Sequence, residues 1–338
     1  MDHALWPLMT TRLYIDQTGD VELLNQEVPY FKDAQIMRGT DTDDLWDSTH
    51  GDRQCTTGHT VYTGSILEHL LIQQLTSFYE VGSHNIFRLR GADWNDALDM
   101  ASEHGESVAF TCAYAGNLLD LSALIRLLEA STKLSSVDLL EELSLLLDNT
   151  PEIFEDTEKK QEILADYTVR CRHTVSGKKK RFSLSSLALN LTEKANWLMN
   201  FIRRKEWING KHDDGWFNSY YDNHKQAVEG IVNDQVRMML TGQVFSIMSG
   251  VAENSHIQKI VKSADRYLYQ KETGGYRLNT DFHEVKLDMG RMFGFAYGEK
   301  ENGAVFSHMT VMYANALYRR GFVKEGWKAL KTLIDTAM

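Results

Sequence analysis

Proline and cysteine are scarce in this sequence of 338 residues. Three prolines (Pro7, Pro29 and Pro151) favour a mainly helical chain, because proline removes a backbone donor and breaks helices. The cysteines are odd in number and far apart, which argues against a disulfide framework or a paired-cysteine metal site. A reducing, cytoplasmic compartment is therefore predicted. The three cysteines are Cys55, Cys112 and Cys171.

Positive charge is also in deficit, with a formal net charge of −11. Phosphate backbones are bound by clustered basic surfaces, so this balance argues against nucleic acid as a partner. We find no apolar run approaching the length of a membrane span and no basic-then-apolar leader, so no membrane partner is predicted. Hydrophobic residues make up 43% and charged residues 25%, as in an ordinary globular protein.

Helical periodicity recurs along the chain, whereas regular short strands and strand–helix alternation are lacking. Helix pairs separated by long polar-aromatic loops predict an all-α fold, an α/α toroid of the six-hairpin (α/α)6 type with short strands in its loops. About seven to nine helices are recognisable, so the toroid is predicted to be incomplete. The predicted helices include 5–18, 65–81, 106–131, 191–208, 232–249, 308–320 and 322–338.

Residues 1–338 are predicted to form one partial catalytic domain. Within it, residues 132–190 form a charged, insertion-like segment. This segment holds an acidic helical stretch at 138–162 and a basic run at 178–181, which we interpret as a solvated hairpin tip.

Two aspartates, an asparagine and a tryptophan occupy four consecutive positions, Asp93-Trp-Asn-Asp96. We call these residues the acid loop. Such a density of carboxylate and aromatic groups between two helices suits carbohydrate cleavage. Asp and Asn are also the usual turn and cap residues, because their side chains accept nearby backbone N–H groups.

Neighbouring motifs have equally plain structural interpretations. Trp94 could anchor its loop in the core, and Glu106 suits the first turn of a helix. His308, at a helix start, is expected to be a hydrogen-bonded structural histidine. The run His212-Asp-Asp214 resembles a metal cluster, but three adjacent ligands rarely converge on one ion.

Five segments follow one another in a fixed order along the chain. They are Asp2-His-Ala-Leu-Trp6, Asp93-Trp-Asn-Asp96 with Gly105-Glu-Ser107, Asp213-Asp-Gly-Trp-Phe217, Gln243 to Gly250, and Lys300-Glu-Asn-Gly303 through Phe306-Ser-His308. In order and spacing, these segments resemble the catalytic domain of inverting glycoside phosphorylases related to cellobiose phosphorylase (glycoside hydrolase family 94). Within that family, the sequence around the acid loop looks most similar to enzymes acting on 1,2-β-oligoglucans.

The resemblance implies phosphorolysis of a β-linked glucoside with inversion. Inorganic phosphate, a co-substrate rather than a cofactor, attacks the anomeric carbon and yields α-glucose 1-phosphate. By motif position Asp96 is the general acid, and it must hold its proton near neutral pH through burial or neighbouring charge. An inverting hydrolase would instead need a second carboxylate about 6.5–9.5 Å away.

The same resemblance assigns the substrate contacts. Trp94 would wall the donor-sugar site, and Asp2 would bond donor hydroxyls. Asp93 and Arg90 would complete the substrate-binding set, with Asp93 and Asp99 as charged neighbours of the acid. The implied partners are a β-glucan oligosaccharide and phosphate, no other cofactor or metal is expected, and a homodimer is left open.

The sequence also departs from the family pattern. Ala97 stands where cellobiose phosphorylases usually have glycine. The family's donor-site arginines would precede Met1, and its acceptor segment and Thr-Gly phosphate contact would follow Met338, so a weakly active or inactive fragment is expected. The alternatives are a non-catalytic carbohydrate-binding or subunit-like protein, and an inverting hydrolase on the same fold.

Overall fold

The structure, a computed structural model, describes residues 2–36 and 39–338. Contacts divide the chain into two compact units. Unit 1 comprises residues 82–116 and 195–338 with the extreme N-terminus, and unit 2 comprises residues 3–81 and 117–194. The whole of segment 132–190 lies within unit 2. That residues 1–338 form a single domain stays a prediction.

Helices dominate the described residues, which confirms the predicted α class. The closed ring of hairpins stays a prediction. Two long helices, α3 (Val108–Thr132) and α6 (Leu184–Lys205), contribute residues to both units. The other helices of unit 2 are α1 (Trp6–Thr18), α2 (Ile66–Tyr79), α4 (Pro151–Glu155) and α5 (Thr157–Cys171). Those of unit 1 are α7 (Leu240–Ser249), α8 (Asn254–Tyr267), α9 (Ser307–Arg319) and α10 (Val323–Ala337).

Strands of the described chain are two to five residues long and join only in pairs. Unit 2 holds β1 (Glu27–Pro29), β2 (Gln35–Ile36), β3 (Asp41–Thr42), β4 (Cys55–Thr56), β5 (Thr63–Ser65), β7 (Ser136–Leu140), β8 (Thr174–Val175) and β9 (Lys179–Ser183). In this unit, β1 pairs with β5, β2 with β3, β4 with β8 and β7 with β9.

Unit 1 holds β6 (Glu106–Ser107), β10 (Trp207–Asn209), β11 (Gly215–Phe217), β12 (Tyr220–Tyr221), β13 (Gly230–Val232), β14 (Gln235–Arg237), β15 (Tyr269–Gln270) and β16 (Gly275–Tyr276). In this unit, β6 pairs with β12, β10 with β11, β13 with β14 and β15 with β16.

Local capping explains why the predicted helix ends hold. Gly19 ends α1 in the left-handed conformation with φ 72°, and its N–H donates to the Ile15 carbonyl at 2.8 Å. The Ser65 hydroxyl caps α2 by accepting the Glu68 N–H at 3.1 Å. Both ends agree with the predicted helices 5–18 and 65–81 to within two residues.

The interpretation of residues 138–162 as one acidic helical stretch is wrong at its start. Residues 136–140 form β7, which pairs antiparallel with β9. The basic run 178–181 therefore lies largely on a strand rather than at a hairpin tip. Arg181 sits opposite Asp138 and donates to both carboxylate oxygens at 2.9 Å, a cross-strand pair that fixes the register.

The predicted helix 232–249 is wrong over its first half, where residues 232–237 belong to the β13–β14 hairpin. Asn233 and Asp234 both have positive φ (49° and 65°), the backbone geometry of a tight turn between paired strands. The helix itself, α7, begins only at Leu240. The structure adds α8, which periodicity had not distinguished.

Helix α3 is long and apolar enough to cross a membrane by length and composition, so the expectation that no run approaches that length is wrong. Its most apolar window is 78% buried inside the protein. Burial of that extent is what a core helix shows.

Candidate active site

The acid loop lies in unit 1 between α2 and β6, and its own side chains shape its backbone. The Asn95 N–H donates to Asp93 Oδ1 at 3.0 Å, and the Ala97 N–H donates to Asn95 Oδ1 at 3.1 Å. Asp and Asn commonly bond backbone groups two residues on in this way. The turn interpretation therefore accounts for Asp93 and Asn95, and leaves Trp94 and Asp96 to be explained.

Asp93 is buried, with 2% of its surface exposed. Its Oδ2 accepts from the Ser107 hydroxyl at 2.8 Å, and its Oδ1 accepts from the Tyr220 hydroxyl at 3.2 Å. Burial raises the pKa of Asp93 to about 6, against the lowering effect of these hydrogen bonds. Protein donors occupy both oxygens, so Asp93 anchors the loop to β6 and β12, and its predicted contact with substrate stays a prediction.

Asp96 has the opposite environment, because its side chain is exposed. Of the two alternatives expected for the general acid, burial or a neighbouring charge, burial is therefore not what this carboxyl shows. Asp99, the other candidate neighbour, forms an ion pair with the Arg291 guanidinium and accepts the Arg291 N–H at 3.1 Å. Its negative charge is thus matched by Arg291. Asp96 presents its carboxyl at the surface of a loop that is held firmly elsewhere.

Trp94 is half-buried and joins two segments that are far apart in sequence. Its ring centroid lies 6.1 Å from that of Phe306, edge-on, and 5.6 Å from that of His308. These are the aromatic residues of the last resembling segment, so the structure brings that segment to the acid loop. Trp94 therefore contacts two distant residues while its side chain stays only half-buried.

His308 differs from its expected role. Its side chain is exposed, and within the described residues no hydrogen bond holds it. The prediction of a hydrogen-bonded structural histidine is therefore wrong. His308 instead places an imidazole beside Trp94, where it can hydrogen-bond a ligand.

Residues 290–294, which include a short 3₁₀ helix (Arg291–Gly294), pack against the acid loop and the Ala97 backbone directly after it. The Met292 N–H donates to the Ala97 carbonyl at 3.1 Å, and Asn95 Nδ2 lies 3.6 Å from the Met292 sulfur. A Cβ on Gly290 would lie 2.0 Å from the Ala97 oxygen, so only glycine fits this close approach. The family departure at Ala97 is accommodated here, because its side chain is fully buried.

Glu106 is not a helix-start residue, because it forms β6 and is fully buried. Its carboxylate accepts the His84 N–H at 3.1 Å and lies 3.2 Å from His84 Nδ1. Burial raises the pKa of Glu106 to about 7. The His84 ring stacks on Tyr221 at 3.7 Å, and the Tyr221 hydroxyl donates to buried Glu206 at 3.1 Å. Nothing in the sequence beyond the Gly105-Glu-Ser107 run pointed to this network.

The remaining predicted residues are less informative. Arg90 is half-buried with φ 60°, a conformation rare for residues with a side chain. The side chain of Asp2 lies outside the described residues. Asp213 forms an ion pair with Lys262 at 2.7 Å, and Asp214 forms one with Arg266 at 2.5 Å. Among the described residues, no cluster of metal-ligating side chains is found.

Comparison with known proteins finds a family match over part of the chain. Residues 180–335 match the profile of the glycosyl hydrolase 94 superfamily, catalytic domain. The match includes Phe306 and His308, whereas the acid loop precedes it.

Curated relatives extend the glycosyl hydrolase 94 similarity across the chain. Solabiose phosphorylase of Paenibacillus borealis is 22% identical over 310 residues, which is 91% of this chain and 29% of that protein. The 3-O-β-D-glucopyranosyl-β-D-glucuronide phosphorylase of the same organism is 20% identical over 335 residues, 99% of this chain and 32% of that protein. Cellobionic acid phosphorylase of Neurospora crassa is 32% identical over 96 residues, 28% of this chain and 12% of that protein. The chain thus spans less than a third of the length of these relatives.

Proposed function

We propose that the protein to which this chain belongs cleaves β-linked glucosides with inorganic phosphate, with inversion, to give α-glucose 1-phosphate. One observation carries the proposal: Trp94 of the acid loop lies against Phe306 and His308 of the segment that matches the family. Two motifs about two hundred residues apart thereby form one surface. The relatives named above are all phosphorylases, which supports the same reaction class.

In the proposed reaction, the Asp96 carboxyl donates its proton to the departing glycosidic oxygen. Phosphate oxygen forms the new bond to the anomeric carbon from the opposite face, and the old bond to oxygen breaks. Phosphate is already a nucleophile, so no base carboxylate is required. Asp93 keeps the loop in place through Ser107 and Tyr220, and Trp94 offers an aromatic wall to the sugar.

An exposed acid suits this scheme if the substrate completes its surroundings. A sugar seated against Trp94 would displace water from the adjoining Asp96 carboxyl, and a carboxyl removed from water holds its proton more firmly. We therefore propose that the bound glucoside, rather than the folded protein alone, supplies the burial that the general acid needs.

The finer features are also proposals. The acid-loop sequence supports 1,2-β-oligoglucans as substrates, with no cofactor beyond phosphate as co-substrate. Three free cysteines fit a cytoplasmic setting. A homodimer remains open and is checked by light scattering.

The test incubates the protein to which this chain belongs with 1,2-β-oligoglucans, cellobiose and other β-glucobioses, with and without phosphate, and measures α-glucose 1-phosphate. We expect phosphate-dependent product, reduced by roughly 10²–10⁴-fold in Asp96→Asn. Asp335→Asn, an exposed aspartate on α10, is the matched control and should retain activity. Sugar release without phosphate would instead identify a hydrolase, and binding without turnover would identify a carbohydrate-binding protein.

A further inference from the structure

A second cavity, of about 210 Å³, lies wholly within unit 2 and is lined mainly by cationic and aromatic side chains. We call it the cationic cavity. Although the chain has 47 acidic residues, no aspartate or glutamate lines this cavity in the described part of the structure. The side chains that define it are Lys32, Trp46, His50, Arg53, His59 and His173.

Two of these side chains, Lys32 and His173, contact one buried carboxylate. Asp43, with 1% of its surface exposed, accepts from Lys32 Nζ at 2.9 Å and lies 3.0 Å from His173 Nδ1. Because its carboxylate balances Lys32, the pair is electrically neutral and rigid. Arg53 differs, since its nearest carboxylate is an exposed Asp52 at 3.8 Å, a pair worth little in water. Arg53 is therefore the cation of this cavity whose charge is least compensated by a carboxylate.

Trp46 adds an unsatisfied donor. Its indole nitrogen is buried, yet among the described residues it has no hydrogen-bond partner. Buried tryptophan N–H groups normally find an acceptor, and a missing one costs free energy. The Lys32 ammonium lies 5.9 Å from the centroid of the same ring. The Trp46 side chain thus combines an unpaired indole N–H with a ring next to a positive charge.

The two histidines present further polar atoms. His50 and His173 engage their Nδ1 atoms with Asp47 and Asp43, and their rings meet edge to face at 5.4 Å. Across the residues that the structure covers, neither Nε2 atom makes a hydrogen bond. Each ring therefore has one nitrogen available to a ligand.

A larger cavity lies beside the cationic cavity. It measures about 740 Å³, shares His173 and Thr174 with the cationic cavity, and carries Arg172 and Ser176 as well as the acidic Glu141 and Glu142 on its walls. Small-molecule sites typically measure roughly 300–1,000 Å³. The cationic cavity alone suits one sugar ring or acidic group, and the adjoining cavity can hold the remainder of a ligand.

We propose that the cationic cavity binds a small sugar that carries an anionic group, either a carboxylate or a phosphate monoester. The anionic group would accept from the Arg53 guanidinium and the Trp46 indole N–H, and the sugar would lie against the indole ring. A guanidinium is well matched to carboxylate and phosphate oxygens. This site belongs to unit 2 and goes beyond the proposed reaction, which uses the acid loop of unit 1.

Isothermal titration of the chain in phosphate-free buffer tests the proposal with glucuronate, glucose 6-phosphate, glucose and inorganic phosphate as probes. We expect the two sugar anions to bind at least about tenfold more tightly than glucose or inorganic phosphate. Arg53→Gln should weaken their binding about tenfold, and Trp46→Phe, which keeps a ring but removes the donor, about fivefold. Arg126→Gln, an exposed arginine on α3 that does not line the cavity, is the matched control and should bind normally.

Asp96→Asn separates this site from the proposed active site, since it should lower turnover by roughly 10²–10⁴-fold and leave binding of the sugar anions intact. Equal binding by Arg53→Gln and Arg126→Gln would overturn the proposal. So would glucose or inorganic phosphate binding as tightly as the sugar anions, or no heat from either sugar anion at about 10 mM. Circular dichroism of each variant confirms that the fold is retained.

Discussion

The two aspartates of the acid loop, three positions apart, divide their tasks by exposure. Asp93 is buried and saturated with protein donors, whereas Asp96 is exposed and available. The motif predicts Asp96 as the general acid but does not reveal this difference in exposure. The partners of Asp93 are Ser107 and Tyr220, and a contact spanning 127 residues leaves no local trace in the sequence.

The raised pKa of Asp93 predicts a pH-dependent stability. Its folded-state pKa of about 6 exceeds the unfolded value near 3.9, so the folded state binds the proton more tightly. The contribution of Asp93 to the free energy of unfolding is largest below about pH 4 and falls as pH rises through 6, by roughly 3 kcal/mol at most.

Asp93→Asn isolates this effect, because an amide can accept through one atom and donate to the Ser107 oxygen without titrating. Urea denaturation of the wild type and Asp93→Asn between pH 4 and 7 should show the smaller loss of stability in the variant. Parallel curves for the two proteins would contradict the assignment.

At the level of elements, helices were predictable and strand pairings were not. Local spacing and caps fixed α1 and α2, since Gly19 and Ser65 act within their own turns. The pairing of β7 with β9 joins residues roughly forty positions apart in sequence, so local helical periodicity did not reveal it. Glu106 shows the same limit of local patterns. An acidic residue before an apolar helix is typical of a first turn, yet Glu106 lies in strand β6 and is buried.

Gly290 should control the acid loop without contacting substrate. A Cβ at this position would lie 2.0 Å from the Ala97 oxygen and 2.6 Å from Leu98 Cα, both backbone atoms that cannot rotate away. We expect Gly290→Ala to displace the loop and lower kcat by about 100-fold, the order caused by a 1 Å misplacement.

Gly294→Ala is the matched control, because its Cβ would meet only Leu287 Cδ2 at an ordinary 3.8 Å. Phosphorolysis assays on both variants, with melting curves, test the contrast. Equal activity of the two variants would show that Gly290 does not position the loop.

The two units of the molecule should respond to pH in opposite directions. In unit 1, burial raises the pKa values of Asp93, Glu106 and Glu229 to about 6, 7 and 8, so stability falls as pH rises from about 4 to 8. In unit 2, burial lowers the pKa values of Lys160 and Lys194 to about 7. Their folded state holds fewer protons than the unfolded state between pH 7 and 10.5, so stability rises over that range.

Hydrogen exchange at pH 6 and 9, corrected for intrinsic rates, should show unit 1 less protected and unit 2 more protected at the higher pH. Lys160→Met removes a buried ammonium that lies 4.3 Å from the Phe78 ring and should reduce the alkaline gain of unit 2. Lys159→Met, at an exposed neighbouring position, should not. A uniform change across both units would contradict the assignment.

The contacts of Trp94 with Phe306 and His308 also bear on the order of events during synthesis. The ribosome adds residues from the N-terminus, so the acid loop emerges roughly two hundred residues before the aromatic partners that complete its surroundings. Contacts of such long sequence separation form late because closing the intervening chain is entropically costly. Under the proposed function, a nascent chain would therefore carry the acid loop long before α9 has left the ribosome and brought Phe306 and His308 to Trp94.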